Sequence, residues 1–600
     1  MTSTPVDTPR PLGASAPGAP SPRGPRRDRQ WVTYGCLALT IAVMAVFFVW
    51  PLVDIVLRSL DEHARASYGD LQLTSRHYEA LLHDPVLRTV LENTLVISGL
   101  ATLATLILGF PTAYLLSRLK PKVAAALYVL ILVPFWVSIL VRLFAWTQLL
   151  AKNGPVNEAA GAVHLGPWEL LYNTPATVIG MVSYLLPFLI LVLYSGMAGV
   201  DPSLTVAAKC AGASGWQAFR RIYLPLVRAS VVGGTLLIFV IGLGFFLTPA
   251  VLGGTNDITV STYIAQQVQN FQWGTASAVG VVLQVASIGV AIVALRIAGV
   301  GGLMGGNAGQ KGAGRAEPLK FGPLTVVLWA FAFVSIAILL VPLLVVLPIS
   351  VETNSFVSWP PRGFTMSWFN EIFTDPRWGS AASKSLRVGG MAALLSVVMG
   401  FVTARAMLTV RSSWLRSFCM ALFYAPLVVP VILLAIGTFD TQTKLGLAGT
   451  SIGLAAVHAT LALPFTMTIF LTALSSFDHR LEQAAWTLGA SRATTLRRVV
   501  APLIMPSALG AALLAFVTSW DETTVALFQI TSDALTLPVL FFSFIKTGVA
   551  PTLAAIGVLL IASVIVVGGL TAVLRIYWQR RRNPVGPIAN EAVPGHDTDS

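Results

Sequence analysis

Residues 201–225 read DPSLTVAAKCAGASGWQAFRRIYLP, and residues 478–502 read DHRLEQAAWTLGASRATTLRRVVAP. The two stretches match at an offset of 277. Asp201 falls on Asp478, Ala207 and Ala208 on Ala484 and Ala485, Gly212 on Gly489, Arg220 and Arg221 on Arg497 and Arg498, and Pro225 on Pro502. Each predicts a short helix with an aspartate available as its cap, because a carboxylate there accepts the orphan N–H groups of the first turn. Paired alanines favour helix and let a partner approach closely. The glycine is suited to end the helix with a left-handed residue. A second short helix then carries the paired arginines, and proline marks entry into an apolar run. Taken singly, either stretch is a basic loop that holds membrane topology. Two copies with the same 13-residue Gly-to-Pro spacing ask for a shared task.

The duplication extends outward from these loops. The same offset pairs Pro187 with Pro464, Thr259 with Thr536 and Gly280 with Gly557. Further upstream the offset becomes 291, pairing Gly109 and Phe110 with Gly400 and Phe401, and Thr112 and Ala113 with Thr403 and Ala404. Twelve stretches lack Asp, Glu, Lys and Arg: 31–53, 93–117, 123–141, 170–200, 229–256, 258–295, 321–351, 388–404, 417–439, 445–477, 499–520 and 547–574. A helix needs roughly 20 apolar residues to cross the hydrocarbon core, so the longer stretches include re-entrant or loop portions. The expectation is an all-α polytopic membrane protein with about 12 transmembrane helices. Six spans per half make the two repeats parallel, related by an axis along the membrane normal.

Composition agrees. Hydrophobic residues make up 55% of the 600 and charged residues 11%, against about 25% charged in soluble domains, and the mean hydropathy is +0.76. The net charge of +13 would suggest a nucleic-acid partner in a soluble chain; here it orients helices, and no nucleic acid is expected. With the N-terminus in the cytoplasm and the spans alternating, 27 of the 39 basic residues but only nine of the 26 acidic ones fall on the cytoplasmic side. Both termini are therefore expected inside. Residues 1–30 read as a disordered cytoplasmic tail, and 31–53 as a retained first span rather than a cleaved leader. The first half is expected over 31–298, a Gly-rich cytoplasmic linker over 299–323, the second half over 324–578, and a cytoplasmic tail over 579–600.

The loops resemble the coupling signature of permease subunits of bacterial ATP-binding-cassette importers: Glu-Ala-Ala, three residues, Gly, nine residues, then Ile-x-Leu-Pro. Gly212 is followed after nine residues by Ile222 and then Pro225, and Gly489 by Val499 and then Pro502. The motif's Glu position holds Val206 in the first copy and Gln483 in the second, where Glu482 is adjacent. The resemblance covers roughly 92–296 and 381–574. It implies the type I importer permease fold in a bacterial inner membrane, with each loop docking on an ATPase subunit so that nucleotide closure tilts the spans. Two ATPase copies inside and a solute-binding protein outside are the implied partners. Asp201, Ala207, Ala208, Gly212, Arg220, Arg221, Asp478, Glu482, Ala484, Ala485, Gly489, Arg497 and Arg498 are the residues it assigns to coupling.

More specifically, VPFWVSILVRLFAW (133–146), FLTPAVLGG (246–254), WPPRGF (359–364), APLVVP (425–430) and FVTSWDE (516–522) are similar to segments of the two spermidine/putrescine permease subunits, joined head to tail. A polyamine or similar small cationic solute is the implied cargo. Fusion of halves is also a habit of ferric-iron and thiamine permeases, which stand as alternatives. Asp521 and Glu522 directly follow an apolar run, and carboxylates at such depth are expensive unless they face a water-filled path or a partner. They read either as contacts for a cationic solute or as span-end carboxylates that pair with a basic group or help fold the second half. Their first-half counterparts are Gly244 and Phe245, so the acidic lining is one-sided. Arg142 reads as a helix-end or snorkelling arginine, Asp54 as an interface marker, and Trp136, Trp146, Trp168, Trp273 and Trp359 as an interfacial belt.

Nothing in the chain reads as an enzyme. GNAGQK (306–311) lacks both the spacing and the hydroxyl of a phosphate-binding loop, so ATP hydrolysis is left to a partner. The seven histidines show no metal-helix spacing, and Cys36, Cys210 and Cys419 stand far apart; neither cofactor nor metal is expected. A secondary carrier of twelve spans driven by an ion gradient is the competing class, but it needs no docking helix. A membrane-embedded assembly or signalling protein would need a soluble domain that this chain lacks.

Overall fold

The computed structural model describes residues 28–62, 72–303, 322–355, 359–529, 535–547 and 550–582. The expected N-terminal tail and linker lie largely outside the described residues, as does most of the C-terminal tail. Helices dominate, and the β-structure among the described residues is two isolated bridges, Asp61 with Leu73 and Glu352 with Phe364. Those bridges are themselves a matched pair at the offset of 291.

Nine helices among the described residues are long and apolar enough to cross a membrane: Leu37–Ser59, Pro85–Arg118, Thr174–Ala198, Gly215–Leu243, Trp273–Ile297, Pro323–Ile349, Pro376–Thr409, Ser451–Ser475 and Arg492–Asp521. Two bent pairs raise the number to eleven if each is one span: Pro121–Trp136 with Ile139–Ala162, and Ser413–Leu427 with Val431–Lys444. The pairs turn by 94° and 101°. Both breaks follow from proline chemistry. Pro134 and Pro426 sit in tight turns at Val133–Trp136 and Ala425–Leu427, where the missing N–H and the ring stop the helical ladder. Ser138 then caps the renewed helix in the first pair, accepting from Leu140 N, while Pro430 stands at the same place in the second. An all-α polytopic architecture with nine to eleven candidate spans among the described residues is therefore present, and Ala550–Arg582 adds a shorter apolar part, Pro551–Val566.

Each half packs its Pro85–Arg118 or Pro376–Thr409 helix against the long helix before the duplicated loop, Thr174–Ala198 or Ser451–Ser475. Lipid tails are as apolar as leucine, so such contacts rest on close packing of small residues. A Cβ added to Gly400 would lie 2.5 Å from Thr466 Oγ1, and one on Gly109 would lie 3.3 Å from Leu189. Thr466 and Ser396 also share a buried hydroxyl–hydroxyl bond of 3.0 Å. The first helix of each half crosses to the other half. Leu37, Met44 and Phe48 are buried in the core of the second half, and Leu339 in the core of the first. A third cluster, with Ile55, Phe144, Ile264, Val346, Ile432 and Phe541, joins the two.

Candidate functional site

The duplicated loops fold alike to the level of single hydrogen bonds. In the first, Asp201 accepts from Ser203 N at 2.9 Å and opens helix Pro202–Cys210. The Ser203 N–H holds the Asp201 carboxyl below the ordinary carboxylate range. Gly212 N–H donates to the Lys209 carbonyl at 3.0 Å and Ala213 N–H to the Ala208 carbonyl at 3.0 Å. In the second loop Gly489 N–H donates to Trp486 at 3.0 Å and Ala490 N–H to Ala485 at 2.9 Å. Both are Schellman ends, which need a left-handed residue, and Gly212 and Gly489 have φ of 86° and 82°. Nothing lies within 4 Å of a Cβ built on either, so their requirement is conformational and not steric. Helix Arg480–Thr487 differs at its start: Asp478 accepts from Arg480 N at 2.9 Å, one residue before the cap position held by His479.

Ser214 and Ser491 cap the next helices through the N–H groups of Gln217 and Thr494, each at 3.2 Å. Both helices then pass through a widened, π-type turn at matched positions, Phe219–Tyr223 and Leu496–Val500. Pro225 and Pro502 explain it, since each would clash with the carbonyl four residues earlier, Arg221 or Arg498. Arg220, Arg221, Arg497 and Arg498 are exposed there, as are Leu204, Val206, Ala207, Leu481, Ala484 and Leu488 on the preceding helices. Small and apolar side chains rimmed by arginine make a surface suited to receive another protein.

Glu482 departs from its sequence assignment to a docking contact. It is 5% exposed and turns inward, binding Arg405 of Pro376–Thr409 at 2.7 Å. A carboxylate one residue ahead of the motif's Glu position rotates by a helical step, which takes it from the open face to the membrane-helix side. The first half makes the same connection with aromatic rings. Tyr114, which matches Arg405, packs edge-on against Phe219 and Tyr223, and the Arg118 guanidinium lies 5.4 Å from Tyr114 and 5.2 Å from Tyr223. Neither joint was legible in the sequence, although the offset of 291 would have paired Tyr114 with Arg405.

Asp521 and Glu522 come together in a cavity of about 250 Å³ between the halves. Its walls are matched residue for residue: Tyr184 and Phe188 face Leu461 and Phe465, Gly244 and Phe245 face Asp521 and Glu522, and Phe135 and Ile139 face Leu427 and Val431. Asp521 reaches across the halves and accepts from Ile139 N at 2.8 Å, which places a carboxylate at the start of a broken helix where the dipole favours it. Glu522 accepts from Val525 N at 2.9 Å and caps the short helix Thr524–Phe528. His458 lies 3.4 Å from Glu522 and shares a 2.7 Å bond with Ser519. Both carboxylates therefore line the cavity and also hold backbone in place.

Three other sequence readings change. Arg142 does not reach an interface: it is 3% exposed, donates to the Ser183 carbonyl and lies over the Tyr184 ring at 5.3 Å. Asp54 is buried in an ion pair with Arg58 at 2.8 Å. Trp146 is buried, while Trp168 is exposed as a belt residue would be. Among the described residues no group of three or more His, Cys, Asp or Glu is placed to hold a metal ion.

Apolar helices with duplicated, outward-turned loops and a cavity between matched walls define a polytopic transporter subunit. The chain belongs to the binding-protein-dependent transport system inner membrane components, the permeases of ATP-binding-cassette importers, with matches over residues 105–299 and 396–578. It is a multi-pass inner-membrane protein, and that architecture implies ATPase and solute-binding partners. It is 33% identical over 254 residues to the spermidine/putrescine transport system permease protein PotB of Escherichia coli (strain K12), covering 42% of this chain and 92% of the relative. It is 30% identical over 233 residues to PotC of that system from Haemophilus influenzae (strain ATCC 51907 / DSM 11121 / KW20 / Rd), covering 39% of this chain and 90% of the relative. The solved structure of a bacterial alginate ABC transporter, in complex with alginate pentasaccharide-bound periplasmic protein, aligns with a TM-score of 0.39 and 21% identity, covering 45% of this chain and 94% of that one.

Proposed function

We propose that this chain is the whole membrane-spanning permease of an ATP-driven importer, with two permease halves carried in one polypeptide. The halves occupy 31–298 and 324–578, with transmembrane cores of about 92–296 and 381–574 and a cytoplasmic linker at 299–323. They form about twelve spans as two parallel six-helix repeats, with both termini in the cytoplasm. The duplicated loop carries this reading: two copies, each ended by glycine at matched φ and by the same pair of backbone bonds, supply one docking helix for each of two ATPase copies. The separate family matches over 105–299 and 396–578 support the same division, as does the fact that relatives named as single permease proteins span about two fifths of this chain each.

The cargo is a polyamine or similar small cationic solute. The names of the relatives support that choice, and so does the pair of carboxylates in the wall of the cavity between the halves. Solute enters from an extracytoplasmic binding protein, passes the gap between matched walls, and is released as ATPase closure moves the loops. The chain itself contributes no catalysis. The experiment is reconstitution in proteoliposomes with the cognate ATPase and binding protein, reading putrescine uptake and ATP hydrolysis together. Uptake that requires ATP and both partners is the expected result. Uptake driven by an ion gradient without the ATPase would overturn the importer, and a binding protein that prefers an anion would overturn the cargo.

A further inference from the structure

An ionic tetrad, buried but for the exposed Lys444, ties the first helix of one half to the broken helix of the other. Arg58 of Leu37–Ser59 binds Asp54 at 2.8 Å and Asp440 of Val431–Lys444 at 3.1 Å, and Lys444 binds Asp440 at 2.6 Å. Asp54, Arg58 and Asp440 are 1%, 2% and 3% exposed. The Arg58 guanidinium also lies 5.5 Å from the ring of Trp273, which stacks on Phe439. The equivalent crossing, Pro323–Ile349 against Ile139–Leu150, holds no such ion cluster among the described residues. At the offset of 291, Asp54 and Arg58 become Val345 and Ile349, both buried in the apolar cluster between the halves. In the broken helices, where Ser138 and Pro430 match at an offset of 292, Asp440 becomes the neutral Gln148, and Lys444 becomes Lys152, which is exposed.

We propose that the Asp54–Arg58–Asp440–Lys444 tetrad is a recognition surface that makes the first half accept the second half and refuse a second copy of itself. This rests on reading the chain as two matched halves. Each half carries its own neutral pair at i and i+4, so the surface does not work by net charge. It works because a wrong wall leaves a buried guanidinium or carboxylate without its cross-half partner, and unsatisfied buried charge is costly. Selecting one partner among similar ones is the best-attested use of such groups.

The test removes the cluster from either side in the full-length chain, purified in detergent, and follows denaturant unfolding. D440L/K444N strips the charge from the second half's wall; D54V/R58I gives the first half the second half's helix; the quadruple variant removes the whole cluster. Each double is expected to lower the ratio of folded to unfolded chain by about tenfold or more, and the quadruple to return within about threefold of wild type, since apolar replacement of a whole buried ion cluster is close to neutral. Doubles that match wild type, or a quadruple whose loss is the sum of both doubles, would overturn the proposal. If the doubles fail to accumulate in the membrane while the quadruple does, that contrast supports it; failure of all three overturns it. Capture of the ATPase by the same proteins reads the permease assignment separately, because a wild-type chain that captures none fails there and not in its internal pairing.

Discussion

Replacing Gly489 by alanine isolates the backbone requirement of the loop proposed to dock the ATPase. At φ of 82° an L-residue pays roughly 1–2 kcal/mol for the left-handed conformation. Nothing lies within 4 Å of the new Cβ, so no packing term adds to that figure. The strain is relieved by giving up the bonds from Gly489 N–H to Trp486 and from Ala490 N–H to Ala485, which frays the last turn of Arg480–Thr487. A loss of 1–2 kcal/mol lowers the population of the intact loop by roughly 5- to 30-fold relative to its frayed form. The loop is exposed, so the membrane core and the yield should not change. ATPase capture by purified G489A, and uptake per ATP hydrolysed in proteoliposomes, should both fall. Gly489→Asn should fall less, because asparagine visits the left-handed region more readily, and Gly489→Pro should abolish both. Equal capture and equal coupling in the alanine, asparagine and proline variants would refute the claim that this helix end is the docking element.

Gly400→Leu places a side chain where Thr466 Oγ1 stands 2.5 Å from the first added atom; overpacking of this kind costs about 1–3 kcal/mol, to be read as a lower thermal midpoint in detergent, with Gly510→Leu, open to space, as the unaffected control. Asp521→Asn keeps an acceptor for Ile139 N but removes the charge, so putrescine uptake should weaken through KM while the unfolding midpoint holds; a fall in stability with KM unchanged would mark the carboxylate as structural alone. Asp201 has a depressed carboxyl, so its cap on Pro202–Cys210 is fully present above the ordinary carboxylate range and fades as pH falls through the lowered value. Amide exchange at Ser203 should speed up on that acid side, and D201N should lose the pH dependence. Arg405→Glu with Glu482→Arg should restore coupling that either single reversal loses, since the pair meets at 2.7 Å; a double as impaired as the singles would show that the joint needs more than charge complementarity.

The chain alone settled what is local or periodic. Long runs without charge place helices in a bilayer because no other backbone arrangement of that length satisfies its own hydrogen bonds there. Glycine and proline marked the loop end and the widened turn, since both act through their own φ and N–H. Self-comparison exposed the duplication, and with it the paired loops. Charge bias oriented the spans as an expectation. All of these readings concern residues within a few positions of one another, or a comparison of the chain with itself.

Tertiary structure decided which faces meet. Helices that are apolar all round carry no stripe to show which side is inward, because lipid and protein interior are alike to a leucine. The crossing of each first helix to the opposite half was therefore invisible in the sequence, as was the partner of every buried charge. Asp521 finds Ile139 across 382 positions, Arg58 finds Asp440, and Glu482 turns to Arg405 and not outward. A charged group declares in the sequence that it must be paired if buried; only the packing of distant helices supplies the pair.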